Sequence, residues 1–86
     1  MRIARTERFQ AAYGELTPSN QQQARKAIRL LRENRRHPGL RVKKIKGTEG
    51  IWEARVSRSI RMTFEVHGDL IILRNIGEHD KTLAKP

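Results

Sequence analysis

The stretch that decides the fold is IRMTFEVHGDLIILRNI, residues 60–76. Apolar and polar side chains alternate over residues 60–67, which is the period of a β-strand with one buried face. Gly68 and Asp69 then form a tight hairpin turn. Residues 70–76 are a nearly continuous apolar run, which is typical of a strand covered on both faces. The stretch therefore predicts two antiparallel strands near the centre of a sheet.

Further strands are predicted upstream of this hairpin. Residues 40–46 and 51–56 have strand-like patterns, with a turn between them at residues 47–50, and residues 1–4 are a candidate for one more strand. In the strand over 51–56, Trp52 shares the core face with Ala54 and Val56. Glu53 and Arg55 then belong to the opposite face, which we expect to be exposed.

Two amphipathic helices precede the strands. The apolar positions of residues 6–16 have helical spacing, with Thr6 as N-cap, and a second helix is predicted from Pro18 to Asn34 because Pro suits the first turn of a helix. Both helices need a partner for their apolar faces. We therefore predict one domain over residues 1–86 of the α+β class, with two N-terminal helices packed on one face of a small antiparallel β-sheet.

Charge is the dominant feature of the composition. The chain has 19 Lys and Arg against 9 Asp and Glu, a formal charge of +10. Residues 1–34 carry a net +4, residues 35–62 a net +7 and residues 63–86 a net −1. Such a concentration of one sign attracts polyanions, and Arg outnumbers Lys by 13 to 6, which favours bidentate phosphate contacts. We therefore expect contact with nucleic acid, although a generic basic surface remains the alternative.

Other functional classes find no support in the composition. The absence of Cys excludes disulfides and thiolate metal sites, and it fits a reducing cytoplasm. No apolar run reaches the length of a membrane span, and residues 1–9 lack the apolar stretch of a signal peptide. The three His residues do not have the spacing of metal ligands, so neither a metal nor a cofactor is predicted.

A candidate site lies on the polar face of the sheet. If the apolar faces of two neighbouring strands meet the same core, Glu53 and Arg55 lie beside Arg61 and Glu65. His79 follows the last strand directly, where an imidazole can transfer a proton to or from a phosphodiester that Arg side chains hold. The alternative for His79 is a turn residue with a local hydrogen bond. His37 and His67, beside Pro38 and in a hairpin, are expected to be structural.

The chain also resembles a known family over almost its entire length. The order of two helices and then several strands, with HPGLRVKKIKG (37–47), IWEARVSRSIRMTFEV (51–66) and GDLIILRNIGEHD (68–80), resembles the RelE/ParE superfamily of toxin–antitoxin toxins. The most specific parts are the aromatic-led strand followed by IRMTFEV, and the terminal IGEHD. Among the branches, the sequence is most similar to RelE-like mRNA interferases.

This resemblance implies an endoribonuclease that cuts mRNA in the ribosomal A site without a metal, by attack of a 2′-hydroxyl on the adjacent phosphate. Arg61 matches the strand Arg that binds the scissile phosphate, and His79 matches the general acid. Of the family's basic pair, Arg55 is retained to stabilise the phosphate, whereas Glu53 stands at the other position and is a candidate base. Many members have a Tyr after the terminal His, whereas this chain continues KTLAKP with no aromatic residue. Trp52 is an alternative stacking residue, although its pattern favours the core.

The resemblance also implies partners. These are mRNA in the A site, the ribosome with its 16S rRNA, and an acidic antitoxin that wraps the toxin through an amphipathic helix or a segment paired to a sheet edge. Two alternatives stay open on this fold: a ParE-like gyrase inhibitor, and a non-catalytic RNA- or ribosome-binding module. The further residues predicted to contact RNA or the ribosome are Lys43, Lys44, Lys46, Arg58, Arg74 and Lys81.

Overall fold

The computed structural model describes all residues, Met1–Pro86, and contains five strands, three α-helices and one 3₁₀ turn. Two N-terminal helices pack on one face of the sheet, as predicted. In chain order the elements are β1 (Arg2–Arg5), α1 (Glu7–Gly14), α2 (Pro18–Glu33), the 3₁₀ turn (Pro38–Leu40), β2 (Lys43–Lys44), β3 (Trp52–Arg55), β4 (Ile60–His67), β5 (Leu70–Glu78) and α3 (His79–Ala84).

The five strands form one sheet in the order β1-β5-β4-β3-β2. β2 to β5 are antiparallel neighbours, but β1 is parallel to β5, so the sheet is mixed and the prediction of a purely antiparallel sheet is wrong at this edge. The physical reason is the connection: tight turns join antiparallel neighbours, whereas both helices and three strands separate β1 from its partner β5.

The hairpin of β4 and β5 matches its prediction closely. β4 spans Ile60–His67 as expected, and Gly68 has a φ of +62°, the left-handed conformation that the tight turn needs. The register shifts between Thr63 and Phe64, where Arg74 on β5 has no partner, which is a β-bulge. β5 continues to Glu78 instead of ending at Ile76.

Both N-terminal helices begin at capped positions. The Thr6 hydroxyl accepts a hydrogen bond from the Phe9 N–H at 3.0 Å, and the Thr17 hydroxyl accepts one from the Asn20 N–H at 3.1 Å. These helices enclose a cluster of 13 buried apolar residues against the sheet, in which Phe9 and Phe64 are the largest side chains. None of the three helices combines the length and hydropathy needed to cross a membrane.

The strand predicted over residues 40–46 is mostly absent. Only Lys43–Lys44 pair with β3, because the chain turns at Pro38–Leu40 and places Leu40 in the core with 1% of its surface exposed. Arg41 then adopts a left-handed φ of +47°, which interrupts the extended backbone. Burial of Leu40 therefore overrides the local strand pattern.

A third helix, which the sequence pattern did not predict, covers part of the other face of the sheet. The Thr63 hydroxyl donates to the Pro86 carbonyl at 2.9 Å, and the Asn75 amide donates to the Lys85 carbonyl at 3.2 Å. Thr63 is fully buried and its register partner Glu53 is only 6% exposed. The prediction that Glu53 lies on an open face is therefore wrong, because the C-terminal segment packs over this part of the sheet.

Candidate active site

Strand register places two arginines directly opposite each other. Arg55 on β3 pairs with Arg61 on β4, and Arg61 in turn pairs with Gly77 on β5, so the three residues form one row across the face that α3 partly covers. Like charges at opposite positions destabilise a sheet. Neither arginine forms an ion pair with a carboxylate. The predicted juxtaposition is therefore present, and it leaves two positive charges without a counterion.

Arg61 is held by the short loop between β3 and β4. Its Nη1 donates to the carbonyl of Ser57 at 2.9 Å, and it also lies 3.1 Å from the Ile60 carbonyl and 3.4 Å from the Arg58 carbonyl. Nε and Nη2 have no hydrogen-bond partner in the structure. One nitrogen therefore orients the guanidinium, while the other two stay available for an anion.

His79 is anchored to the same loop. Its backbone N–H donates to the Ser59 carbonyl at 2.9 Å, at the point where Glu78 on β5 pairs with Ile60 on β4. His79 is the first residue of α3, and its side chain is 49% exposed. The β3–β4 loop therefore brings Arg61 and His79 to the same end of the sheet, as the sequence predicted.

The orientation of the His79 ring depends on Asp80, which sequence reasoning did not single out. The Nδ1–H donates to the Asp80 carboxylate at 2.9 Å, because an ionised carboxylate only accepts. This bond leaves Nε2 free to give or take a proton. In the sequence, this contact is visible only as the adjacent His-Asp pair in IGEHD. The pair indicates an oriented imidazole only once it is known that a helix begins at His79.

The two predicted acidic neighbours of the arginines have other surroundings. In the sheet register, Glu53 lies between Lys43 on β2 and Thr63 on β4. It is therefore farther from the β3–β4 loop than the row of Arg55 and Arg61. Glu65 accepts hydrogen bonds from Arg74 and from His67 Nε2, the latter at 2.9 Å. Hydrogen bonds from His67 and Arg74 lower the pKa of Glu65 below its ordinary value. Neither carboxylate neutralises Arg55 or Arg61.

The residues predicted to contact RNA are not all equivalent in the fold. Lys43 shares a face with Glu53, whereas Lys44 shares the helix-covered face with Trp52, so the lysines of β2 point to opposite sides. Arg74 already binds Glu65 and donates through Nε to the Pro86 carbonyl at 3.3 Å. The remaining three side chains are exposed and form no ion pair: Lys46, Arg58 and Lys81.

The other two histidines and Trp52 have structural contacts. His37 Nδ1 accepts a hydrogen bond from the Gly39 N–H at 3.1 Å and caps the 3₁₀ turn, and His67 binds Glu65, which agrees with the structural roles expected of both. Trp52 is half-buried and packs against the core. The position of Trp52 on the helix side of the sheet separates it from the row of Arg55 and Arg61.

Known proteins match this chain by fold and not by sequence. No protein-family model matches the sequence, and no curated protein matches it significantly. The fold is similar to the RelBE toxin–antitoxin complex of E. coli, at a TM-score of 0.73 and 16% identity over 91% of this chain and 95% of that one. It is also similar to a YoeB/ParE toxin from Agrobacterium tumefaciens, at a TM-score of 0.77 and 18% identity over 92% of this chain and 99% of that one.

A third solved structure extends the likeness within the same group of toxins. YafQ from E. coli superposes at a TM-score of 0.79 and 13% identity over 94% of this chain and 97% of that one. The likeness spans nearly the full length of this chain and of all three solved structures. The chain therefore shares its fold with these solved RelE, YoeB/ParE and YafQ structures, which agrees with the resemblance of its sequence to the RelE/ParE superfamily.

Proposed function

We propose that this protein is the toxin of a type II toxin–antitoxin system and an endoribonuclease that cuts mRNA in the ribosomal A site in the cytoplasm. The observation that supports this most directly is the unneutralised pair Arg55 and Arg61, opposite each other in the sheet, with His79 anchored to the same loop as Arg61. A phosphodiester supplies the missing negative charge, and an exposed imidazole supplies a proton donor beside it.

The proposed chemistry uses the RNA itself as nucleophile. The 2′-oxygen forms a bond to phosphorus as the bond between phosphorus and the 5′-oxygen breaks, which leaves a 2′,3′-cyclic phosphate. Protonated His79 gives its Nε2 proton to the departing 5′-oxygen. Arg55 and Arg61 stabilise the additional negative charge on the phosphate in the transition state. This route needs neither a metal-bound water nor a cofactor.

The base that accepts the 2′-hydroxyl proton is assigned to Glu53 in this proposal. Glu53 lies on the same face as Arg55, two residues earlier on β3, but only 6% of its surface is exposed. Direct proton transfer requires hydrogen-bond reach to the hydroxyl, so the C-terminal segment over Thr63 must move aside. A Glu53→Gln variant that cuts as fast as the wild type would remove this assignment and leave the others intact.

We also propose an acidic antitoxin as partner. The formal charge of +10 favours association with an acidic protein, and a groove of about 590 Å³ beside Trp52 has an apolar floor and an arginine rim. An amphipathic acidic segment matches both parts of this groove. The similar E. coli RelBE structure is itself a toxin–antitoxin complex. The floor residues are Val42, Trp52, Phe64 and Val66, and the rim residues are Arg35, Arg36 and Arg41.

The test is to induce the wild type, Arg61→Ala and His79→Ala in parallel, and to map the 5′ ends of messenger RNA during growth arrest. We expect arrest with new mRNA ends only for the wild type. Loss of a single transition-state donor should lower the cleavage rate by about 10² to 10³-fold. Lys26→Ala serves as a control, because it removes an exposed positive charge on α2 that forms no ion pair.

Other outcomes identify the alternatives. Intact messages during arrest, together with trapped gyrase–DNA complexes, would replace the nuclease proposal with gyrase inhibition. Full arrest by His79→Ala with uncut but ribosome-bound mRNA would replace it with a binding module. A thermal unfolding curve for each variant separates loss of chemistry from loss of the fold.

A further inference from the structure

A second cluster of positive charge lies at the opposite edge of the sheet from β2. β1 and α2 enclose a groove of about 500 Å³, and β1 is the edge strand, separated from Arg55 on β3 by two strands. No Asp or Glu lines this groove. We call it the β1–α2 groove, and its charged lining residues are Arg2, Arg5, Arg25, Arg29 and Arg32.

The helix geometry explains why these arginines converge. Arg25, Arg29 and Arg32 are spaced four and three residues apart, which places them along one side of α2. This side lies next to the buried stripe that contains Ile28, whose side chain also lines the groove. On β1, Arg5 is in register with the buried Leu73, so it belongs to the helix side of the sheet. The fold thus joins residues that are far apart in the sequence.

The charge of this groove is largely unpaired. Arg5, Arg29 and Arg32 form neither an ion pair nor a side-chain hydrogen bond in the structure. Arg25 donates to the Tyr13 hydroxyl at 2.7 Å, which leaves its charge uncompensated. Arg2 also lines the groove but forms an exposed ion pair at 3.2 Å with Asp69, which lies outside the lining. Like charges that line one groove oppose folding, so the cluster is expected to have an anionic ligand.

The chemistry of the lining indicates the class of anion. Every charged side chain of the lining is an arginine, whose planar fork binds phosphate oxygens in pairs. Five such groups along a groove suit a chain of phosphates better than a single one. An acidic protein segment also needs an apolar anchor site, and the groove beside Trp52 offers a larger apolar floor for that purpose.

We propose that the β1–α2 groove binds the sugar–phosphate backbone of RNA at a second point, distinct from the strand held by Arg55 and Arg61. This inference rests on the proposed RNA-directed function and extends it to a part of the molecule without catalytic residues. Two contacts on separate parts of the surface fix the orientation of the protein on its RNA target, and each raises the effective concentration for the other.

The test measures RNA binding in protein that does not cut. In an Arg61→Ala background, binding to purified 70S ribosomes and to a labelled single-stranded RNA is measured by titration at several KCl concentrations. The groove variant is Arg29→Gln/Arg32→Gln. The matched control is Lys26→Gln/Lys85→Gln, which removes the same charge at exposed sites that do not line the groove.

We expect the groove variant to lose about tenfold or more in affinity and to reduce the slope of log K against log salt by roughly two, because each lost phosphate contact lowers it by about one. If the variant loses affinity for ribosomes alone, the ligand is structured ribosomal RNA. If it loses affinity for both probes, the ligand is RNA backbone in general. The control should retain both its affinity and its slope. Equal losses in both variants, or an unchanged slope, would overturn the proposal.

Two further outcomes also count against it. Unchanged RNA binding with lost binding to poly-L-glutamate assigns the groove to an acidic protein instead. No measurable RNA binding by the Arg61→Ala protein, with a normal thermal unfolding curve, excludes a second RNA contact of useful strength. Cleavage is measured separately in protein with Arg61 intact, so a wild type that binds through the groove but does not cut would refute the nuclease alone.

Discussion

Arg61 combines two tasks in one side chain. Nη1 donates hydrogen bonds to backbone carbonyls, with the shortest contact to Ser57 in the β3–β4 loop at 2.9 Å. Nε and Nη2 have no partner and can bind an anion. A guanidinium can divide its donors in this way because they are fixed in one plane. A lysine has a single point of charge on a flexible stem and cannot hold the loop and a phosphate in the same geometry.

The contact between His79 and Asp80 gives a prediction at the residue scale. Asp80→Asn should lower the single-turnover cleavage rate by about tenfold, less than the loss of the general acid itself, because the acid remains but its ring is no longer oriented by a carboxylate. In a His79→Ala background the same change should have no effect. An equal loss in both backgrounds would show that Asp80 acts independently of His79.

Glu65 gives a prediction about pH. Hydrogen bonds from His67 and Arg74 lower its pKa below the ordinary 4.5, so the folded protein releases this proton more readily than the unfolded chain. The stability that Glu65 contributes is therefore complete above about pH 4.5 and is lost as the pH falls through the lower, folded value. The urea midpoint of the wild type should drop over this acid range, and Glu65→Gln should flatten the drop. A parallel pH dependence in both proteins would contradict the assignment.

At the scale of the element, α3 decides how the site is assembled. The helix starts at His79 and packs over β4 and β5, and the segment that follows it bonds to Thr63 and Asn75. This placement requires a small residue beneath the helix, because a Cβ at Gly77 would lie 2.9 Å from the Thr82 hydroxyl. Gly77 continues β5 and makes room for α3.

Gly77→Ala tests this packing. The added methyl should displace α3, lower the free energy of unfolding by about 1–3 kcal/mol and slow cleavage through the shift of His79. Thr82→Ala in the same chain removes the clashing hydroxyl and should restore both quantities. Thr82→Val keeps a methyl group at the position of the hydroxyl, so it should restore neither quantity. Urea denaturation and single-turnover rates provide the measurements, and equal behaviour of the two double variants would refute the steric account.

At the scale of the whole molecule, the charge is spread over separate sites instead of one. Of the 19 Lys and Arg side chains, only Arg2 and Arg74 pair with a carboxylate. Nine of the remaining 17 lie in the row of Arg55 and Arg61, at the rim beside Trp52 and in the β1–α2 groove. The folded protein therefore carries self-repulsion that a polyanionic partner relieves.

This repulsion predicts a response to salt. Raising KCl from about 0.01 to 0.2 M shortens the screening length from roughly 30 Å to below 10 Å, so the melting temperature should rise by several degrees. The variant Arg29→Gln/Arg32→Gln should melt higher at low salt and gain less from added KCl. A melting temperature that is independent of KCl in both proteins would show that the charges do not oppose folding.

Much of the fold was predictable from local patterns. β4 is a strand because apolar residues alternate over Ile60–His67, and α1 and α2 begin where Thr6 and Thr17 cap them. The charge of +10 and the pairing of Arg55 with Arg61 likewise followed from composition and from the shared core of β3 and β4. These properties depend on neighbours in the chain or on one strand pair, so a linear pattern contains them.

Only the tertiary structure decided the rest. The parallel placement of β1, the burial of Glu53 opposite Thr63 and the arginines of the β1–α2 groove all depend on where distant segments pack. The short α3 has too few turns to show a clear helical period, and its position over Gly77 depends on the Thr82 contact. Local periodicity specifies which face of an element is apolar, but the closing of long loops between elements determines which polar faces come together.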